Sequence, residues 1–152
     1  MPKFVYRMQS VLNIKQKAES QIKMEFATAQ AELNRQIDIL EEYIRRKENY
    51  LKEAEELRNT ETLNLQDILD NQYATAQMDV MIASQSKVVA QHEEIVEKVR
   101  VRLTRAMQER KMQETLREHA YADWIEEQKQ EEFKINDQRT SYTYTLRQRG
   151  EG

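Results

Sequence analysis

Residues 3–149 contain neither glycine nor proline. Pro2 is the sole proline, and Gly150 and Gly152 are the sole glycines. These two residue types punctuate turns, bulges and helix ends. A chain that lacks them over such a span reads as long, uninterrupted helix. The same absence excludes a glycine-rich phosphate loop, a dinucleotide fingerprint and a nucleophile elbow, because each needs glycine backbone at fixed offsets. One feature thus argues for helix and against an enzyme.

Composition narrows the class further. Charged residues make up 34% of the 152 and aromatics 7%, which suits solvated helices better than a compact core. The hydrophobic 39% lies in stripes. A net charge of −3 argues against a nucleic-acid partner, which needs a basic footprint. With no cysteine there is no disulfide and no thiolate metal site. No apolar run approaches the roughly 18 residues of a transmembrane segment. The opening Met1–Arg7 lacks the apolar stretch of a signal peptide. The reading is a soluble, cytoplasmic helical protein without a cofactor.

Two seams emerge. From Phe4 to Leu57, apolar residues recur at Phe4, Met8, Val11, Ala18, Ile22, Phe26, Ala29, Leu33, Ile37, Leu40, Ile44, Leu51 and Ala54, mostly three or four apart. Consecutive four-residue steps at Ala18–Ile22–Phe26 and Ala29–Leu33–Ile37 read as stutters. A parallel row of Ile22, Ala29, Tyr43, Tyr50 and Leu57 widens the face, and Lys15 and Lys47 interrupt it, their stems packing and their ammonium groups reaching water. The second seam alternates four and three residues: Thr75, Met78, Ile82, Gln85, Val89, His92, Val96, Val99, Leu103, Ala106, Arg110, Gln113. Beyond Gln113 it loosens through Leu116, Ala120 and Trp124 into the acidic stretch Glu126–Glu132.

Between the seams lies the one interior cluster of Asn and Thr, Arg58–Asp67. There Asn64 with Asp67 three residues on has the pattern of a helix N-cap. The expected fold is all-α: a long antiparallel two-helix coiled coil, or helical hairpin, forming one domain over 1–152. Helix 1 covers about 4–58, a turn 59–64, helix 2 about 65–139, and a frayed tail 140–152. A single rod pairing with a second chain is the alternative. Acid-before-base pairs four residues apart, Glu19–Lys23, Glu41–Arg45, Glu42–Arg46, Glu48–Lys52 and Glu94–Lys98, each add about 0.2–0.5 kcal/mol to a helix.

Candidate chemistry is sparse. His92 and His119 are too far apart to share a metal on one helix, and His92 sits in the seam, where the structural role is preferred. Adjacent carboxylates such as Glu41–Glu42 and Glu126–Glu127 belong to solvated helix with no concave site to tune them. Lys98, Arg100, Arg102, Arg105, Arg110 and Lys111 form a basic cluster against Glu97 and Glu109. It reads as mixed-charge helix surface or as a patch for an acidic protein partner. A nucleic acid is disfavoured because no aromatic platform accompanies the bases. Tyr121, Trp124, Phe133, Tyr142 and Tyr144 would be interface anchors wherever they are exposed. The seam around Thr75, Gln85 and His92 is polar enough either to open toward a partner or to set register.

Three stretches carry a family resemblance. The opening Phe4-Val-Tyr-Arg-Met-Gln-Ser-Val-Leu-Asn-Ile-Lys15, followed by Glu19, resembles the start of the flagellar export protein FliJ family. Ala106-Met-Gln-Glu-Arg-Lys-Met-Gln-Glu-Thr-Leu-Arg-Glu118 is similar to that family's second-helix signature. Glu132-Phe-Lys-Ile-Asn-Asp137 resembles its closing acidic segment, departing at Gln138, where the family usually has a second acid. The resemblance spans nearly the whole chain. It implies an antiparallel coiled coil similar to the shaft of rotary ATPases, seated in the hexameric flagellar export ATPase and promoting ring assembly and ATP hydrolysis. It also implies contacts with the cytoplasmic domain of the membrane export gate and with export chaperones. Such a protein is cytoplasmic and peripherally associated with the membrane at the flagellar basal body. On this resemblance the gate contact falls near Met78, Ile82, Gln85 and Val89. The basic residues Arg100, Arg105, Arg110 and Lys111 are the candidate partner-binding patch on the second helix. The rival readings are a generic coiled-coil spacer or scaffold dimer, and a lipid-surface helix, against which the acids mixed along both arms argue.

Overall fold

The computed structural model describes residues 2–151, and the side chains of residues 2–150. Two helices account for nearly all of it: α1, Gln9–Arg58, and α2, Leu65–Glu151. They pack against each other as a helical hairpin, with no strand among the described residues. Contacts group the chain into two compact units, Met1–Glu19 with Ala106–Gly152 (the end unit) and Ser20–Arg105 (the turn unit).

Residues 2–8 are not helical; α1 begins at Gln9, later than the Phe4 start expected from periodicity. The Tyr6 carbonyl accepts from the Gln9 amide at 3.1 Å, a turn that sets the helix entry. The other end of α1 closes on Asn59, whose amide reaches the Glu55 and Glu56 carbonyls at 3.2 Å. The Thr60 hydroxyl lies 3.1 Å from the Leu57 and Thr62 carbonyls, taking the chain out of helix. Asn64 then caps α2: its Oδ1 accepts from the Asp67 amide at 3.3 Å, satisfying one of the free donors of a helix start. No described residue has positive φ, so the turn is made by side-chain bonds rather than by glycine.

The tail expected to fray is helical through Glu151, and Gly152 lies outside the described residues. Nothing before Gly150 breaks the helix. Thr140, Thr143 and Thr145 direct their hydroxyls to carbonyls four residues back, at 2.9–3.0 Å, instead of competing for other backbone.

The α1 seam corrects the apolar reading. The inward positions are Leu12, Lys15, Glu19, Ile22, Phe26, Ala29, Leu33, Gln36, Leu40, Tyr43, Lys47, Tyr50, Ala54 and Leu57, every one buried or half-buried. Their spacing alternates three and four without a stutter. The apparent stutters came from following only apolar residues past Glu19 and Gln36, two polar seam positions. Met8, Ile44 and Leu51, placed in the seam by their hydrophobicity, are instead 45%, 40% and 50% exposed. On α2 the expected seam from Thr75 to Gln113 faces inward throughout, and it extends back to Asn71 and Ile68.

Candidate partner-binding surfaces

Polar seam residues meet polar partners in each unit. In the turn unit the Gln85 amide donates to the Gln36 carbonyl at 2.9 Å and to Gln36 Oε1 at 2.8 Å. Buried Asn71 donates to the Tyr50 carbonyl at 2.9 Å. Lys47 reaches over the seam edge to Asp79 at 2.6 Å. In the end unit the matches are charged. Arg110 Nε donates to buried Glu19 while its Nη1 holds Glu114 at 2.9 Å, and Lys15 pairs with Glu109 at 3.0 Å. The Glu19 and Glu114 carboxylates raise the guanidinium pKa of Arg110, Glu19 contributing most. The Tyr6 hydroxyl faces Gln113 Oε1 at 3.4 Å. Phe4 packs edge-on to Tyr121 at 5.2 Å and against Trp124 at 5.8 Å, with the Arg117 guanidinium 5.5 Å over its ring.

These contacts sort the residues singled out from sequence. Met78 and Val89 are buried, and Ile82 and Gln85 are half-buried, all turned toward α1. This group is the seam itself, with exposed Val80 on the outer face of the same turns. The basic cluster divides differently. Arg100 is exposed and bound to Glu97, which raises its pKa, while Arg102 pairs with Glu25 at 2.7 Å. Arg110 is taken up by the seam. Arg105 and Lys111 are exposed and make no ion pair among the described residues. They are therefore the bases of the cluster with charge to offer. A groove of about 480 Å³ in the turn unit is lined by Met24, Glu25, Ala29, Glu32, His92 and Ile95. It forms beside the small Ala29 and leaves Met24 72% exposed. Among the described residues no group of three acids or histidines could hold a metal ion.

A family model described as the flagellar FliJ protein matches residues 4–149. The chain belongs to the FliJ family. It is thus a flagellar, export-related coiled-coil protein, and the family is one of structural export components rather than known enzymes. No curated protein and no solved structure matches it. No described helix of this FliJ-family chain is long and apolar enough to cross a membrane. The signal for its buried Glu19 and Gln36 was present in the strict heptad but not in hydrophobicity. The Phe4–Tyr121–Trp124 cluster joins residues too distant in sequence for any spacing rule to pair.

Proposed function

We propose that the protein is the coiled-coil stalk of the flagellar export ATPase ring. In this reading it promotes assembly and activity of the hexamer and links it to the cytoplasmic domain of the export gate and to export chaperones. It works in the cytoplasm, peripherally at the inner face of the membrane. The family match over residues 4–149 carries the proposal. The two-helix hairpin fits it, since two packed helices have the narrow cross-section that a ring pore admits. Arg105 and Lys111 supply the contact with acidic groups of the ring, because their charge is not spent inside the chain. The gate contact near Met78, Ile82, Gln85 and Val89 requires either local opening of the seam or use of neighbouring outer-face residues such as Val80. A stalk biases its ring only by binding the ring's conformational states with different affinity.

The deciding experiment is the ATP hydrolysis rate of the purified cognate export ATPase with and without this protein, with ring formation followed by size. A rise in both, reduced by Arg105→Glu with Lys111→Glu, is the expected result. No change in either, with a helical protein in the tube, would leave a spacer or chaperone-handling role.

A further inference from the structure

Past Trp124 the seam stripe of α2 continues with nothing against it. Residues 131–150 are exposed throughout, including Ile135 at 49%, Tyr142 at 67% and Leu146 at 49%. These three are seven and four residues apart, and Ile135 is eleven beyond Trp124, so they extend one stripe of a 3.6-residue helix. Charge along this stretch is polarised. Residues 126–137 carry five acids against two lysines, whereas residues 138–150 carry three arginines and no acid.

We propose that this stretch is a self-association surface, on which two copies of the chain pair antiparallel through residues 126–150. The sequence is self-complementary in that arrangement. About a midpoint between Gln138 and Arg139, Ile135 stands opposite Tyr142 of the second copy, Glu131 opposite Leu146, and Gln128 opposite Arg149. Arg147 and Arg149 then lie within about one turn of Glu127 and Glu131 of the other copy. The contact is isologous, so each pairing occurs twice. A parallel pair would instead set acids on acids and arginines on arginines. The paired stretch runs about 38 Å and offers roughly three and a half heptads, the length at which a coiled-coil seam becomes sustained. Its apolar content is small, so the association is modest and salt-sensitive. Pairing would also support a segment whose Thr140-Ser-Tyr-Thr-Tyr-Thr145 run consists of weak helix formers.

The test is sedimentation velocity of the full chain over about 5–200 µM, a range that brackets weak self-association. Low salt should give a concentration-dependent dimer. Ile135→Asp should lower the association constant at least about tenfold, and so should Arg147→Glu with Arg149→Glu. Glu127→Lys with Glu131→Lys should do the same, and an equal mixture of the two charge-reversed forms should recover a heterodimer. Phe133→Ser with Tyr144→Ser, on the opposite face, should change nothing. All these side chains are exposed, so the hairpin should stay folded in every form, and circular dichroism should show at most the loss of helix in the tail that pairing supports. A chain that stays monomeric across the range overturns the proposal. So does a dimer that survives Ile135→Asp, or a charge-reversed mixture that stays monomeric. Protection of these residues seen only when the export ATPase is added would assign the surface to the ring instead.

Discussion

The turn unit and the end unit solve one problem with different chemistry. Both place polar residues in a heptad seam, and both answer the buried ones, Gln36 and Asn71 in the first and Glu19 in the second, with a polar partner across it. In the turn unit the matched groups at the seam centre are neutral amides, Gln36 with Gln85 and Asn71 with the Tyr50 carbonyl. In the end unit they are ions, Glu19 with Arg110, while at the seam edge each unit has one half-exposed ion pair, Lys15 with Glu109 and Lys47 with Asp79. A buried polar layer costs stability against an apolar one but penalises every slipped register, because a slip leaves the group unmatched. Amide layers do this without regard to pH or salt. An ion layer does it more harshly, since an unmatched buried charge is far more expensive than an unmatched amide.

The sharpest way to break the comparison is to remove one ion. Glu19→Ala leaves the Arg110 guanidinium, only 21% exposed, without its main partner. The melting temperature should fall by roughly 10 °C, and replacing both residues with leucine should recover most of that loss. Equal losses for the single and double replacements would show that the ion pair itself stabilises the seam and that the orphaned charge is not what costs. Apolar knobs should not distinguish the units. Leu12 in the end unit is 3% exposed and Leu33 in the turn unit 8%. Either change to alanine should cost about 2–4 kcal/mol by chemical denaturation. A much smaller cost at one of them would mark that unit as loosely packed.

What could be read from sequence follows the same division. The α2 seam was legible because Thr75, Gln85 and His92 stand singly among β-branched and long apolar residues that hold the period up to Ala106, before Arg110 and Gln113 close it. The hairpin itself was legible from two seams and one Asn-Thr cluster. On α1 the period was obscured where Lys15, Glu19, Gln36 and Lys47 occupy seam positions. The two lysines read as interruptions of the face with packed stems, whereas a hydrophobicity reading steps around Glu19 and Gln36 onto Ala18 and Ile37. The inward placement of Glu19 and Gln36 becomes intelligible only with the residue across the seam, and such a partner lies 91 and 49 positions away in the chain. The candidate contacts were legible as residue types but not as free or engaged. Arg110 and Lys111 are adjacent in sequence, and one is bound in the seam while the other faces water.

The amide layer offers a gentler test. Gln85→Leu removes the donor and leaves Gln36 facing an apolar side chain, at a cost of about 1–2 kcal/mol that added salt should not change. Changing both residues to leucine should restore or exceed the original stability, as paired removal of a buried polar contact often does. The double variant should also populate other registers, visible as extra distances between spin labels placed on exposed positions of the two helices.

The smallest effect concerns Glu32, beside that layer. Arg35 holds its carboxylate by three hydrogen bonds, Gln36 adds a fourth, and together they lower its pKa from the usual 4.5 to about 2. The folded value lies below the unfolded one, so this stabilisation is present above pH 4.5 and is lost as pH falls from 4.5 through 2. Carboxyl NMR should find the depressed value, and Arg35→Gln, which removes the largest cause, should move it back toward 4.5. Yet the melting temperature should shift by no more than about 2 °C, because Glu32, Arg35 and Gln36 lie within two turns of one helix and the ion pair is open to solvent. A larger shift on Arg35→Gln would mean that Glu32 steers the Gln36 amide into its cross-helix bond with Gln85. The neutral layer would then depend on a charge after all, and the contrast between the two units would narrow to a difference of one intervening residue.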